Sequence, residues 1–421
     1  MKNTLLSKLG PGLIFAAVAV GTSHVVQSTR AGATFGLSMI LLVVLVCLAK
    51  YPTYLFCSRY AAITGQTVLD GYAKRGKWFL YIFQIVFTIE MTVASSASAL
   101  VTSGIVINLF NLDIAINTLS MILMFFTIII LVLGKYNLLE LLCRVLVIGF
   151  AITTLIATTL ALTGFELGSI QPVAELTLDR PTTAFLVSLS GWMPTGIMGT
   201  VMLSIWVQAR KASTSRAVFT KEDADFDFHV GYFSSMLLAI CFVILGYVVI
   251  LGQGDNIAND SVGFSVQIIS LFTETIGNWV FILISATIIA VMYSTLLALV
   301  DAFPRLTVDV LDNLLPGEKH SEQAQQKKDQ QIYIALCALL FVLVGAVFYL
   351  FMSSFTQFID LITAIGFILT PIIAVFNHMI IFSKDIPLAD QPGPVLKYWS
   401  YGMIAIFTLI TFIWIYFRIS A

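Results

Sequence analysis

Long apolar runs, each closed by a short polar cluster, make up most of this chain. A helix needs about 20 apolar residues to cross the hydrocarbon core of a bilayer. Divided on that basis, the pattern predicts eleven spans: 11–34, 37–63, 78–108, 114–133, 139–163, 182–207, 230–252, 266–301, 331–352, 356–383 and 396–417. The fold expected is therefore all-α and integral to a membrane. Two spans carry polar interruptions. In "AVAVGTSHVVQSTRAGATFG" (17–36) the apolar run breaks at Gly21-Thr22-Ser23-His24. In "SLSGWMPTGIMGT" (188–200) Pro194 has no backbone donor, and Gly191, Gly196 and Gly199 weaken the same turns. The interrupted spans are the first and the sixth. An odd separation makes them run in opposite directions, as in an inverted repeat. Residues 1–163 then form the first repeat (spans one to five), 164–383 the second (spans six to ten), and 384–421 an additional helix. Paired interrupted helices point to a transporter's central site, because unwound backbone at that depth must be buried or line a cavity.

Composition supports the membrane assignment. The chain is 59% hydrophobic and 11% charged, and its mean hydropathy of +0.96 excludes a soluble globular domain. A net charge of −1 gives no basic surface for nucleic acid. Cys47, Cys57, Cys143, Cys241 and Cys337 all fall in apolar runs without CxxC spacing and read as small core residues. The N-terminal segment reads as a retained first helix rather than a cleaved signal. With the N-terminus inside, 18 of the 22 Lys and Arg lie on the cytoplasmic side. Acids such as Glu175, Asp179, Asp255 and Asp260 face the opposite loops. The positive-inside rule thus predicts a cytoplasmic N-terminus and an external C-terminus in a plasma membrane (the inner one in a Gram-negative bacterium). Residues 315–331 read as a polar, solvated linker.

The stretch "LGPGLIFAAVAV....VVQSTRAGATFG" resembles the first helix of the NRAMP family of proton-coupled divalent-metal transporters. "SRYAAITGQTVLD" (58–70) resembles the end of that family's second helix, "LLELLCRVLVIGF" (138–150) its fifth, "WMPTG" its sixth and "GFILTPIIAVF" (366–376) its tenth. The resemblance implies a LeuT-like inverted repeat. It also implies changed chemistry. The family's first-helix motif is Asp-Pro-Gly-Asn; here Gly21 stands at the Asp and His24 at the Asn. Its Met-Pro-His reads Met193-Pro194-Thr195, and its two third-helix acids align with Ala94 and Ala97.

Such a site offers a divalent ion no anionic ligand, and manganese, magnesium and iron(II) favour carboxylate oxygen. The substrate site expected comprises Gly21, Thr22, Ser23 and His24 with Ser190, Gly191, Trp192, Met193 and Thr195. Hydroxyls, an imidazole, an indole and half-helix ends suit a neutral polar solute or small anion. The alternative is a divalent or soft metal held by His24 and Met193. His24 is otherwise a proton carrier or a fixed hydrogen-bonding group.

Lys50 and Glu90 lie near the middles of the second and third spans, either as a salt bridge or with one titrating during transport. Arg30 draws anions into a vestibule or pairs with Glu175, Asp179, headgroups or Asp360, the last a candidate gate residue. Ser294-Thr295 resembles a sodium-binding hydroxyl pair of some LeuT-like transporters, although such hydroxyls often bond to their own helix. The coupling ion expected is a proton or sodium, with no cofactor. No HExxH or Walker A motif supports an enzyme or an ATP-driven pump. A channel and a non-transporting receptor are disfavoured by the paired breaks and the lack of an appended soluble domain. The function expected is ion-coupled movement, as symport, of a small solute by alternating access.

Overall fold

The computed structural model describes residues 10–133, 137–164, 179–213, 219–314, 322–351 and 355–419. Among them all regular structure is helical. The first span consists of α1 (Pro11–Ala19), a wide π-helical stretch (Thr22–Ser28) and α2 (Thr29–Phe35), with its two halves bent by 40°. It is followed by α3 (Ser38–Thr64), the short α4 (Val68–Arg75), α5 (Lys77–Phe110), α6 (Ile116–Val132) and α7 (Asn137–Thr163). The sixth span is split into α8 (Arg180–Gly191) and α9 (Gly199–Ser213). The chain continues through α10 (Lys221–Leu245), α11 (Ser261–Ile276), α12 (Phe281–Leu314), α13 (Glu322–Phe351), α14 (Phe355–Ile381) and α15 (Pro394–Ile419). Among the described residues, seven helices are individually long and apolar enough to cross a bilayer, and the bent first span makes an eighth. The shorter α6, the apolar part of α7 (Val147–Thr163) and the split sixth span are consistent with the eleven passes expected.

Three boundaries are corrected. The eighth span expected at 266–301 is two helices, because Gly277 adopts φ +123° and ends α11 before α12 begins. Thr273, Glu274, Thr275 and Asn278 form a polar cluster around that turn, which separates the two apolar runs. The seventh span starts earlier, at Lys221, where Thr220 and Asp223 form a reciprocal capping box. Part of the supposed linker is helix, since α13 begins at Glu322; residues 315–321 lie outside the described residues.

α10 holds the broken first span along its length. A Cβ at Gly12, Gly231, Gly32 or Gly246 would collide with the facing backbone of Asp227, Gly12, Val243 or Thr29 respectively. Small residues let membrane helices approach this closely, and van der Waals contact then drives their association. The Asp227 carboxylate also accepts from the backbone N–H of Gly10 (2.8 Å) and Gly12 (2.6 Å), satisfying open donors at the start of α1.

The two ends of the bundle differ chemically. At one end Lys77 donates to Leu314 O, Arg75 to Met379 O and Lys221 to Asp390, and Lys211 lies beside Gly65. At the other, Phe355 N donates to Asn259 O, and Gln253 to Glu274. The first is called the basic end below.

Candidate functional site

In the first span, α1 stops at Ala19 and Val20-Gly21 leave the helical path, Gly21 with φ −132° and ψ −139°. Ser23 Oγ donates to Ala19 O at 2.9 Å, satisfying one freed carbonyl. A Cβ at Gly21 would lie 3.1 Å from Thr295 Oγ1, so this break rests against α12.

The sixth span is interrupted from Trp192 to Met198, and three side chains hold the interruption. Lys50, fully buried on α3, donates from Nζ to Ser190 O and Gly191 O, both at 2.7 Å. An ammonium there meets the negative end of α8. Glu90 on α5 takes the opposite end: its Oε1 accepts from Met198 N at 3.4 Å, just before α9. A Cβ at Gly196 would collide with that oxygen, so a side chain there would have to displace the Glu90 carboxylate. The Tyr54 hydroxyl donates to Thr195 O (2.8 Å) and Gly196 O (3.0 Å). At the far start of α8, Asp179 accepts from Thr182 N, and this bond holds its exposed carboxyl below the usual range.

Between the two breaks is a cavity of about 60 Å³. Gly21, Thr22 and Ser23 line one side, Trp192, Thr195 and Gly196 the other, with Glu90, Ala94, Ser98 and Thr295 closing it. Glu90 is the only ionisable residue in that lining. Of the residues expected here, five line the cavity: Gly21, Thr22, Ser23, Trp192 and Thr195. Ser190 and Gly191 instead give their carbonyls to Lys50.

His24 and Met193 are placed elsewhere, which corrects the ligand set. His24 is fully buried with Nδ1 on Ser23 Oγ (2.9 Å) and Nε2 on Ser235 O (2.9 Å), facing α10. Met193 Sδ accepts from Ser28 Oγ at 3.8 Å. Neither lines the cavity, and no group of three or more His, Cys, Asp or Glu among the described residues is arranged to hold a metal. The direct Lys50–Glu90 salt bridge is likewise not formed; each partner caps one end of the split span. Ser294 and Thr295 both donate to Val291 O, and only Thr295 reaches the cavity.

Arg30 pairs with Asp360 through Nη1–Oδ1 (2.7 Å) and Nη2–Oδ2 (3.1 Å), one of the partners expected. Gln27, missed in the sequence, ties the pair together. It accepts from Arg30 and donates to Ser188, Thr363 and Asp360. The network joins the first span, α8 and α14 on the side of the cavity away from the basic end. Glu175 lies outside the described residues.

On the basic side a second cavity of about 1320 Å³ runs between α1, α7, α9, α10, α12 and α13, reaching Arg305 and Asp309. The two cavities share Val18, Met202 and Thr295 in their walls.

No family model matches the chain. An uncharacterised protein of Pasteurella multocida (strain Pm70) is 29% identical over 391 residues, 91% of this chain and 88% of its own. The Eremococcus coleocola manganese transporter, in complex with an aromatic bis-isothiourea substituted compound, is similar with a TM-score of 0.70 at 14% identity, covering 97% of this chain and 86% of that one. MhsT in complex with L-phenylalanine gives a TM-score of 0.61 at 14% identity, over 96% and 97% of the two chains. MHP1, a nucleobase-cation-symport-1 family transporter with bromovinylhydantoin bound, gives 0.59 at 14% identity, over 96% and 90%. At these identities the likeness is one of fold: the chain has the all-helical LeuT-like fold that the resemblance implies and with which its paired breaks agree.

Proposed function

We propose that the chain is a secondary active transporter that moves a small solute by exposing the cavity between its helix breaks alternately to the two sides of the membrane. The observation that carries this reading is the asymmetry around that cavity. In an inverted repeat, α14 corresponds to α7 and α8 to α1. α14 lies so close along α8 that a Cβ at Gly191 would collide with Thr363 O. Between α7 and α1 lies the large cavity instead, with Leu13 and Ala17 on one wall and Ile148 and Ile152 on the other. One side is shut by the Arg30–Asp360 network while the other is open nearly to Thr295. Matched elements in opposite states are what alternating access requires.

The charge pattern orients the basic end to the cytoplasm, so this arrangement faces inward, in a plasma or bacterial inner membrane. The chain is read as an NRAMP-like transporter whose metal motifs have been replaced, which its fold likeness to a manganese transporter supports. Metal transport through His24 and Met193 is disfavoured because both face away from the cavity. A proton is the better coupling ion, with Glu90 the group to carry it. The alternative is sodium at Thr295, whose hydroxyl lies beside the break at Gly21.

The test is uptake into proteoliposomes under imposed proton or sodium gradients. Labelled amines, amino acids, sugars, organic acids and manganese are supplied in turn. Gradient-driven accumulation of one class supports the reading. Equilibration without accumulation, at rates indifferent to Asp360→Asn, would mean a passive pore.

A further inference from the structure

Three residues that line the 60 Å³ cavity each carry a buried polar atom with no hydrogen-bond partner: Glu90 Oε2, Trp192 Nε1 and Thr22 Oγ1. Their residues are 2%, 6% and 3% exposed. Unpartnered buried polar groups are costly, and three around one small space mark it as built for something polar. Their chemistry is also specific. An ionised carboxylate oxygen only accepts, an indole N–H only donates, and a hydroxyl does either. Gly366 makes room for the indole, since a Cβ there would lie 2.5 Å from Trp192 Nε1. Lys50, the nearest balancing cation, is committed to the α8 carbonyls and does not line the cavity.

We propose that the cavity binds a small ammonium-bearing solute: its cationic donor on Glu90 Oε2, and an acceptor at its other end on the Trp192 N–H, with Thr22 Oγ1 beside it. This rests on the transporter reading and names its substrate class. It replaces the neutral or anionic solute expected from sequence, because the cavity's only ionisable wall is an acid. A bare metal cation satisfies Glu90 but gives the indole donor nothing. A simple anion satisfies the indole and is repelled by the carboxylate. At about 10–15 Å³ per water-sized group, a cavity of about 60 Å³ takes roughly four to six such groups. That admits an amino alcohol or the smallest amino acids and excludes aromatic ones.

The experiment is thermal stability of the purified full-length chain with ethanolamine, glycine, methylammonium, acetate, sodium chloride or manganese chloride, followed by proteoliposome uptake. Ligands of the native state raise its melting temperature with concentration. Ethanolamine or glycine is expected to act at concentrations at least tenfold lower than methylammonium, and acetate and the salts to give no specific shift. Glu90→Gln should weaken the response to ethanolamine at least tenfold. Trp192→Phe should remove the advantage of ethanolamine over methylammonium, and Thr22→Val should weaken ethanolamine binding at least threefold. The last two leave the α9 cap intact, so the result does not depend on Glu90→Gln folding well. No shift with any amine, an equal shift with acetate, or a sodium or manganese response that Glu90→Gln abolishes would overturn the proposal. Uptake separates the two readings. Binding of ethanolamine without transport defeats the transporter reading alone, and transport of an anion defeats the substrate class alone.

Discussion

Asp360→Asn isolates the closure on the side away from the basic end. Arg30 and Asp360 form a bidentate pair whose side chains are 9% and 24% exposed. A hydrogen bond to a charged group contributes about 1.5–3 kcal/mol net. Solvent reaches Asp360 and screens part of this, so the two bonds together favour the closed arrangement by about 2 kcal/mol. The substitution keeps side-chain shape and leaves Arg30 with two partners, Gln27 Oε1 at 2.8 Å and the Phe185 ring at 5.0 Å. It should therefore bias the conformational balance rather than unfold the chain. Since every 1.4 kcal/mol is tenfold, the open-to-closed ratio on that side should rise roughly thirty-fold.

The assay is a single cysteine at Ala94, which lines the cavity, in a background lacking the other cysteines. Its reaction with a membrane-impermeant thiol reagent is timed from each side of a sealed vesicle. The rate from the Arg30 side should rise roughly thirty-fold while the closed form still predominates. Modification from the basic end should not rise. An unchanged rate in a folded Asp360→Asn protein would show that the pair does not close the site. An equal rise from both ends would mean general loosening.

Three further outcomes follow from the same geometry. Lys50→Met and Glu90→Gln should each destabilise by about 3 kcal/mol, because each leaves a buried charge without its counterpart. The double substitution should cost at least about 1 kcal/mol less than the sum, which chemical denaturation of all four proteins will read. His24→Ala should lower the melting temperature, since two buried hydrogen bonds go, yet change the dissociation constant of a cavity ligand less than threefold. A larger change would return His24 to the site. Gly196→Ala should abolish transport while retaining most secondary structure by circular dichroism, because the added methyl group meets Glu90 Oε1. Unimpaired uptake by this variant would show that the Glu90 cap is dispensable.

The breaks were legible in the sequence because backbone needs are local. Glycine and proline mark where a helix cannot continue, and their spacing fixed the paired geometry. Side-chain direction was not legible. His24 lies two residues from Thr22, yet the wide π-helical turn sends its ring to Ser235 while Thr22 lines the cavity. Gln27 carries no signal at all: a lone amide in a membrane helix becomes the centre of a network only once α8 and α14 bring Ser188, Thr363 and Asp360 to it. The turn at Gly277 was legible in principle, since Thr273, Glu274, Thr275 and Asn278 interrupt the apolar run around it; a single long span over 266–301 passes over that cluster.

The intramembrane charges show how a helix can stay split with both of its inner ends satisfied by side chains. A split helix leaves a negative end and a positive end facing each other in a medium of low dielectric, and each needs a counter-charge. Here neighbouring helices supply both, Lys50 to the end of α8 and Glu90 to the approach to α9. The sixth span therefore stays broken without a transported ion to hold it apart. That frees the remaining Glu90 oxygen and the first break for a substrate of different chemistry. It also ties recognition to conformation, since a ligand drawing on Glu90 Oε2 pulls on the carboxylate that caps α9. A ligand can shift a conformational balance only through interactions that differ between its states. Glu90 is one group that touches both the cavity and the approach to α9.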